Sequence, residues 1–145
     1  MQRFRQVLVI ALLILAPFRV SAGPSEDVAS AVDHWATAFN ANDVNVLIKL
    51  YAPDAALIGA AGSTVFEGSD AIRKYYSRLE KSGDKVKMDV RKVAVLDDNV
   101  AYVAGFDEFT AVRNGQTGTS SNGFTMVLVK PGNEWLIAHQ HSSRR

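Results

Sequence analysis

The 145-residue chain has no cysteine, only four prolines and almost no excess of either charge, with 16 lysines and arginines against 15 aspartates and glutamates. Without cysteine there is no disulfide, no thiol nucleophile and no cysteine-ligated zinc, and no N-terminal cysteine to carry a lipid anchor. A net charge of +1 lacks the basic excess expected of a nucleic-acid binder. Internal repeats, low-complexity tracts and linkers are missing, so one domain is expected, long enough to bury a core without staples. The loop Gly59-Ala60-Ala61-Gly62 has neither the glycine spacing nor the Lys-Ser/Thr of a phosphate cradle. No nucleophile elbow occurs. No cofactor is therefore expected.

Long apolar runs are also missing, with one exception. Met1 to Gln6 carries Arg3 and Arg5 and no acid, Val7 to Ala16 is unbroken apolar sequence ended by Pro17, and Val20-Ser21-Ala22 offers small residues for cleavage. This three-part pattern predicts a signal peptide over residues 1–22, cut after Ala22. The run is about half of the roughly 20 residues that span a bilayer, so no membrane attachment is expected after cleavage. Removal of Arg3, Arg5 and Arg19 leaves 13 bases against 15 acids in residues 23–145, a net charge of −2. An extracytoplasmic (periplasmic or secreted) location is expected, which suits a chain without thiols.

The rest of the chain changes period once. Val28, Ala31, Val32, Trp35, Ala38 and Phe39 recur at helical spacing, with Ser25 as the expected cap. Asn40 to Asp43 breaks this helix, and Val44, Leu47, Ile48 and Tyr51 form the face of a second, ended by Pro53. Ala55 to Ala60 reads as a strand. Ser69-Asp70 starts a third helix through Ile72, Tyr75, Tyr76 and Leu79, stopped at Ser82-Gly83-Asp84.

From Lys85 the period is two, with a parity shift near Arg91-Lys92 that predicts a bulge. Val100 to Arg113 and Gln116 to Val129 flank Asn114-Gly115, a strong hairpin signal. Glu134 to His141 is the last predicted strand, with Trp135, Ile137, His139 and His141 on one side. The order α-α-β-α-β-β-β-β predicts an α+β domain, three helices covering a curved, mostly antiparallel sheet with a pocket between them.

Several residues have chemical potential. His139 and His141, two apart on a strand, share a face and could hold a metal, act as an acid/base pair, bind an anion or simply hydrogen-bond at the sheet's end. Asp107 and Glu108 are adjacent, so one faces the helices and the other faces away. The inward acid would have a raised pKa suited to a general base, unless paired with Arg113 or a lysine. Tyr51, Tyr75, Tyr76 and Tyr102 could bring hydroxyls to a pocket or serve as core. Candidate catalytic residues are Asp107, Glu108 and His139. Candidate ligand contacts are Trp35, Tyr51, Tyr75, Tyr102, His139 and His141.

Trp35, Leu50-Tyr51-Ala52-Pro53-Asp54-Ala55, Phe66-Glu67-Gly68-Ser69-Asp70-Ala71-Ile72 and above all Gly132-Asn133-Glu134-Trp135-Leu136-Ile137-Ala138-His139-Gln140-His141-Ser142-Ser143 resemble, in matching order, the nuclear transport factor 2-like superfamily. The nearest branch resembled is the SnoaL-like proteins related to the calcium/calmodulin-dependent protein kinase II association domain. The resemblance implies a cone-shaped α+β fold over residues 23–145 with a pocket between sheet and helices. It also implies homodimers or larger rings packed through the open sheet face. Two departures stand out: no arginine lies on the penultimate strand near Gly123 to Met126, and Gln140 occupies a position that is often His.

Fold does not give function within such a superfamily. The expected function is a small, partly apolar molecule bound in the cone of a self-associating domain. The alternative is an isomerase, cyclase or dehydratase in which Asp107, Glu108 or His139 takes a proton beside a carbonyl and a tyrosine steadies the enolate oxygen. A metal-dependent activity on His139 and His141 is a third reading.

Overall fold

The computed structural model describes residues 23–145; the expected leader, residues 1–22, lies outside the described residues. Helix α1 (Pro24–Asn40) begins with proline at its first position, where the missing N–H would be unpaired anyway. Gly23, not Ser25, is the capping position, and its backbone N–H donates to Glu26 Oε2 at 3.1 Å. Val28, Val32, Trp35, Ala38 and Phe39 are buried along one face. The break at Asn42 is held in place. Asn42 has φ +55°, its side-chain amide donates to the Asp84 carbonyl at 2.9 Å, and its Oδ1 accepts from the Gly83 N–H at 2.9 Å. Asp43 then caps α2 (Val44–Lys49), accepting from the Val46 N–H at 3.0 Å.

Strand β1 (Tyr51–Ile58) starts earlier than its sequence suggests, at Tyr51, which was expected to close the preceding helix. Pro53 has no N–H to donate to a ladder. The pairing of β1 with its neighbour accordingly jumps from Tyr51 to Ala56. A short strand, β2 (Val65–Glu67), was not anticipated and leads into α3 (Gly68–Tyr76) and a 3-10 turn (Ser77–Leu79). Then come β3 (Lys85–Asp97), β4 (Val100–Arg113), β5 (Gln116–Val129) and β6 (Leu136–Arg144).

The six strands form one mixed sheet in the order β2-β1-β6-β5-β4-β3, with β1 parallel to β6 and every other pair antiparallel. Ala101, Val103, Phe124, Met126, Leu128 and Ile137 of its covered face meet the apolar faces of the helices. Fully burying each larger side chain stabilises by about 1.5–3 kcal/mol.

Two bulges decide which residues reach the interior. Between Met88 and Arg91 the β3–β4 register slips, close to the predicted place. The Val90 carbonyl there lies 1.9 Å from where a Cβ on Gly105 would stand, so only glycine fits opposite the bulge. Beyond it Arg91 turns inward and makes a bidentate pair with Asp33 of α1, one arm at 3.0 Å. The second bulge was not expected. Leu128 pairs with Ile137 but Val127 with His139, so Ala138 is the extra residue. Parity flips there. Ile137 points to the core, and so do Gln140 and Ser142, while His139 and His141 point to the opposite, uncovered face beside Val127 and Thr125.

Candidate functional site

A cavity of about 340 Å³ opens between the covered sheet face and α1, α3 and the 3-10 turn. Trp35, Phe39, Tyr76, Leu79, Val86 and Phe109 give it an apolar wall. Polar groups come mainly from β4, β5 and β6: Asp107, Asn122, Gln140, Ser142 and Arg144.

Asp107 is 6% exposed and accepts a 2.8 Å hydrogen bond from Asn122 Nδ2. Burial pushes its carboxyl above the ordinary aspartate range, and the amide donor offsets this only in part. Asn122, 5% exposed, also lines the cavity, and its buried Oδ1 has no hydrogen-bond partner among the described residues. An acid whose ionisation is resisted and an amide acceptor with nothing to accept thus sit side by side.

The cavity's aromatic end is a hydroxyl cluster. The Trp35 indole N–H donates to Tyr51 Oη at 2.8 Å, and the Tyr51 and Tyr76 hydroxyls are 2.9 Å apart. Tyr51 donates to Gln140 Oε1, which Tyr76 also approaches at 3.5 Å. Burial raises the pKa of both tyrosines, so both stay protonated.

At another part of the rim Arg113 makes a bidentate pair with Asp84 at 2.6 and 2.9 Å, and the Val112 N–H adds a third bond to Asp84 at 3.1 Å. The Arg113 guanidinium beside Asp84 holds that carboxyl below its usual range. Arg78 lies over the Tyr75 ring, 4.9 Å from its centre. Both of these residues line the cavity.

The expected site residues divide between the two sheet faces. Trp35, Tyr75 and Asp107 line the cavity. Tyr51 is buried behind its wall and acts through Trp35, Tyr76 and Gln140. Glu108 points away, paired across the ladder with Lys87 and Ser121. Tyr102, between Ala94 and Val127, is on that uncovered face too. So are His139 and His141, carried there by the Ala138 bulge, and neither lines the cavity. Among the described residues no group of three or more His, Asp or Glu side chains is placed to hold a metal ion.

Gln140 and Asn122 were the residues missed. Asn122 was within reach of the sequence, because a two-residue Asn114-Gly115 loop fixes the β4–β5 ladder without a slip and sets Asp107 opposite Asn122. Gln140 was hidden by the bulge.

Residues 28–144 match the SnoaL-like domain family. A Xanthomonas campestris structure described as a calcium/calmodulin-dependent protein kinase II association domain is 30% identical, with a TM-score of 0.79 over 86% of this chain and 89% of that one. A ketosteroid isomerase-like protein from Erwinia carotovora (21% identity, TM-score 0.74, 83% and 95% covered) shares the fold. So does a nuclear transport factor 2-like superfamily protein from Salmonella enterica (24%, 0.73, 83% and 89%). No curated protein matches this chain in sequence. With a family match spanning almost all described residues and a mixed sheet covered by helices on one face, the chain belongs to the SnoaL-like branch of the nuclear transport factor 2-like superfamily.

Proposed function

We propose that this domain binds a small, partly apolar molecule in the cavity between helices and sheet. The observation that carries this reading is the Asp107–Asn122 pair, two buried polar side chains on the lining of a cavity that also has an aromatic and aliphatic wall, with Asn122 Oδ1 unpaired. A buried acceptor without a donor costs about 1–3 kcal/mol, a cost that a bound hydroxyl or N–H would relieve. The test is native mass spectrometry of the purified protein, with extraction of whatever co-purifies. A molecule retained by wild type and lost from Asn122→Leu supports the reading, and wild-type protein free of small molecules and indifferent to a hydroxylated aromatic library opposes it.

A second reading is supported by the same carboxyl. Asp107, held above the ordinary aspartate range by burial, is suited to moving a proton beside a carbonyl, as in isomerase, cyclase or dehydratase chemistry. The tyrosine part of that expectation changes. The Tyr51 hydroxyl is already committed to Trp35, Tyr76 and Gln140, so it acts on its neighbours. Asp107→Asn should abolish turnover but preserve binding if Asp107 is the base. Retained turnover in that variant would remove this alternative.

Two further proposals concern context. The uncovered face around Tyr102, Thr125, Val127 and His139 supports self-association through the sheet. Exposed Thr125 at its middle is the place to test it: Thr125→Arg should lower the mass measured by light scattering without altering ligand retention. Export is supported by the leader-like pattern of residues 1–22 and by α1 starting at Pro24, immediately beyond the expected cut. Mass analysis of protein recovered outside the cytoplasm should find an N-terminus at Gly23.

A further inference from the structure

Gln140 is 5% exposed, lines the cavity, and is the one residue that connects the hydroxyl cluster to the pocket's polar strand. Its orientation follows from counting hydrogens. The cluster holds three donor hydrogens, on the Trp35 indole and on the Tyr51 and Tyr76 hydroxyls. With Gln140 Oε1 turned toward them, Trp35 and Tyr76 donate to Tyr51 Oη and Tyr51 donates to Gln140, so each hydrogen has an acceptor. With the amide reversed, its N–H would join a cluster that has lost an acceptor, and one hydroxyl hydrogen would be left buried and unpaired. Gln140 Oε1 is therefore fixed on Tyr51. Its Nε2 has no hydrogen-bond partner among the described residues.

We propose that Gln140 is the residue that selects the bound molecule, its Nε2–H donating to a carbonyl-type oxygen at the aromatic end of the cavity, with Tyr51 as the residue that positions it. This rests on the pocket reading above and gives the ligand a chemical class, an apolar body with a carbonyl or carboxyl oxygen at its inner end. Along β6, Gln140, Ser142 and Arg144 line the cavity at alternate positions, and Arg144 pairs across the ladder with Asn122. Four residues of strand span about 13 Å. The inner donor and the Asp107–Asn122 pair thus address opposite ends of one elongated molecule, with the aromatic wall against its middle.

The experiment compares acetophenone with ethylbenzene, two probes of similar shape of which only the first carries an acceptor, titrated into ¹⁵N-labelled protein. The Gln140 side-chain amide signals are assigned by their absence from Gln140→Leu. Acetophenone should shift those two signals and bind about three- to tenfold more tightly than ethylbenzene, the worth of one neutral hydrogen bond. The acetophenone-to-ethylbenzene affinity ratio, taken within each variant, should fall to about one in Gln140→Leu and be reduced in Tyr51→Phe. Equal binding of the two probes to wild type at cavity residues, with the Gln140 amide unmoved, overturns this inference and leaves the pocket reading standing. Failure of both probes to perturb any cavity residue overturns both. Because the Gln140 amide signals are also assigned in ¹³C,¹⁵N-labelled wild type by through-bond correlation to the residue's own backbone, the wild-type shift decides the outcome even if a variant fails to fold.

Discussion

The Tyr51 hydroxyl, at the start of the first strand, accepts the Trp35 indole N–H from the middle of the first helix at 2.8 Å. That bond ties helix to sheet at the point where the cavity wall begins. Tyr51→Phe removes the acceptor for two donors and the donor for Gln140 at once. Each buried polar group so orphaned costs about 1–3 kcal/mol, and relaxation recovers part of it. Urea unfolding should show a loss of about 2–3 kcal/mol. Tyr102→Phe, on the uncovered face, should change stability by less than about 0.5 kcal/mol.

Asp84 and Arg113 form a pair in which one side chain is buried and the other is 55% exposed. Asp84→Asn should therefore cost about 1–3 kcal/mol, below the range for pairs buried on both sides. Asp84's folded pKa lies below its unfolded value of about 3.9. The pair's contribution is thus complete above that pH and is lost as pH falls through the folded value. Thermal melts followed by circular dichroism at a series of acidic pH values should show a midpoint less dependent on pH in Asp84→Asn than in wild type.

Asp107 works with the opposite sign. Its folded pKa is raised by burial, so the native state holds its proton more tightly than the unfolded chain does. Stability falls as pH rises from about 3.9 toward the folded value and stays lower above it. Asp107→Asn removes that slope. It should be more stable than wild type at neutral pH, with the advantage shrinking below pH 4, as read from thermal melts across pH. A variant less stable at neutral pH would mean that the carboxylate is favoured by its surroundings.

Gly105 faces the bulge in the third strand so closely that a Cβ would stand 1.9 Å from the Val90 carbonyl and 2.9 Å from Arg91 Cα. Backbone cannot move aside as a side-chain tip can. Gly105→Ala should destabilise by more than about 2 kcal/mol and loosen the Arg91–Asp33 pair that the bulge sets up. Gly118→Ala, where a Cβ meets nothing within 4 Å, is the matched control.

Much of the sheet was legible because a single turn governs it. Asn114 and Gly115 both have positive φ, as a two-residue hairpin loop requires, and from there fourteen pairs run without a slip to Val100 and Val129. That ladder alone places Asp107 opposite Asn122 and sends Glu108 to the other face. The last strand was misread for the complementary reason. Trp135 and Ile137 carry a clear inward signal, and simple alternation extends it to His139 and His141. One extra residue, Ala138, reverses the assignment, and nothing about an alanine between two apolar residues and a histidine announces a bulge. The chemically conspicuous histidines were thereby exchanged for a glutamine whose importance lies in what it touches. Proline misled in a milder way. Pro53 ends helices and interrupts ladders, but it is accommodated here because the pairing simply skips it.

The sixth strand sits between the first and the fifth, parallel to one and antiparallel to the other. The two-stranded unit made early along the chain and the hairpin system made later have no strand pairing with each other except through it. Without residues 136–144 the remaining pairings would link only two separate half-sheets, each with an open edge, and the cavity would lack Gln140, Ser142 and Arg144. Folding must therefore wait on contacts between distant parts of the sequence, which slows it. During that wait the edges of β1 and β5 are open to pairing with other chains.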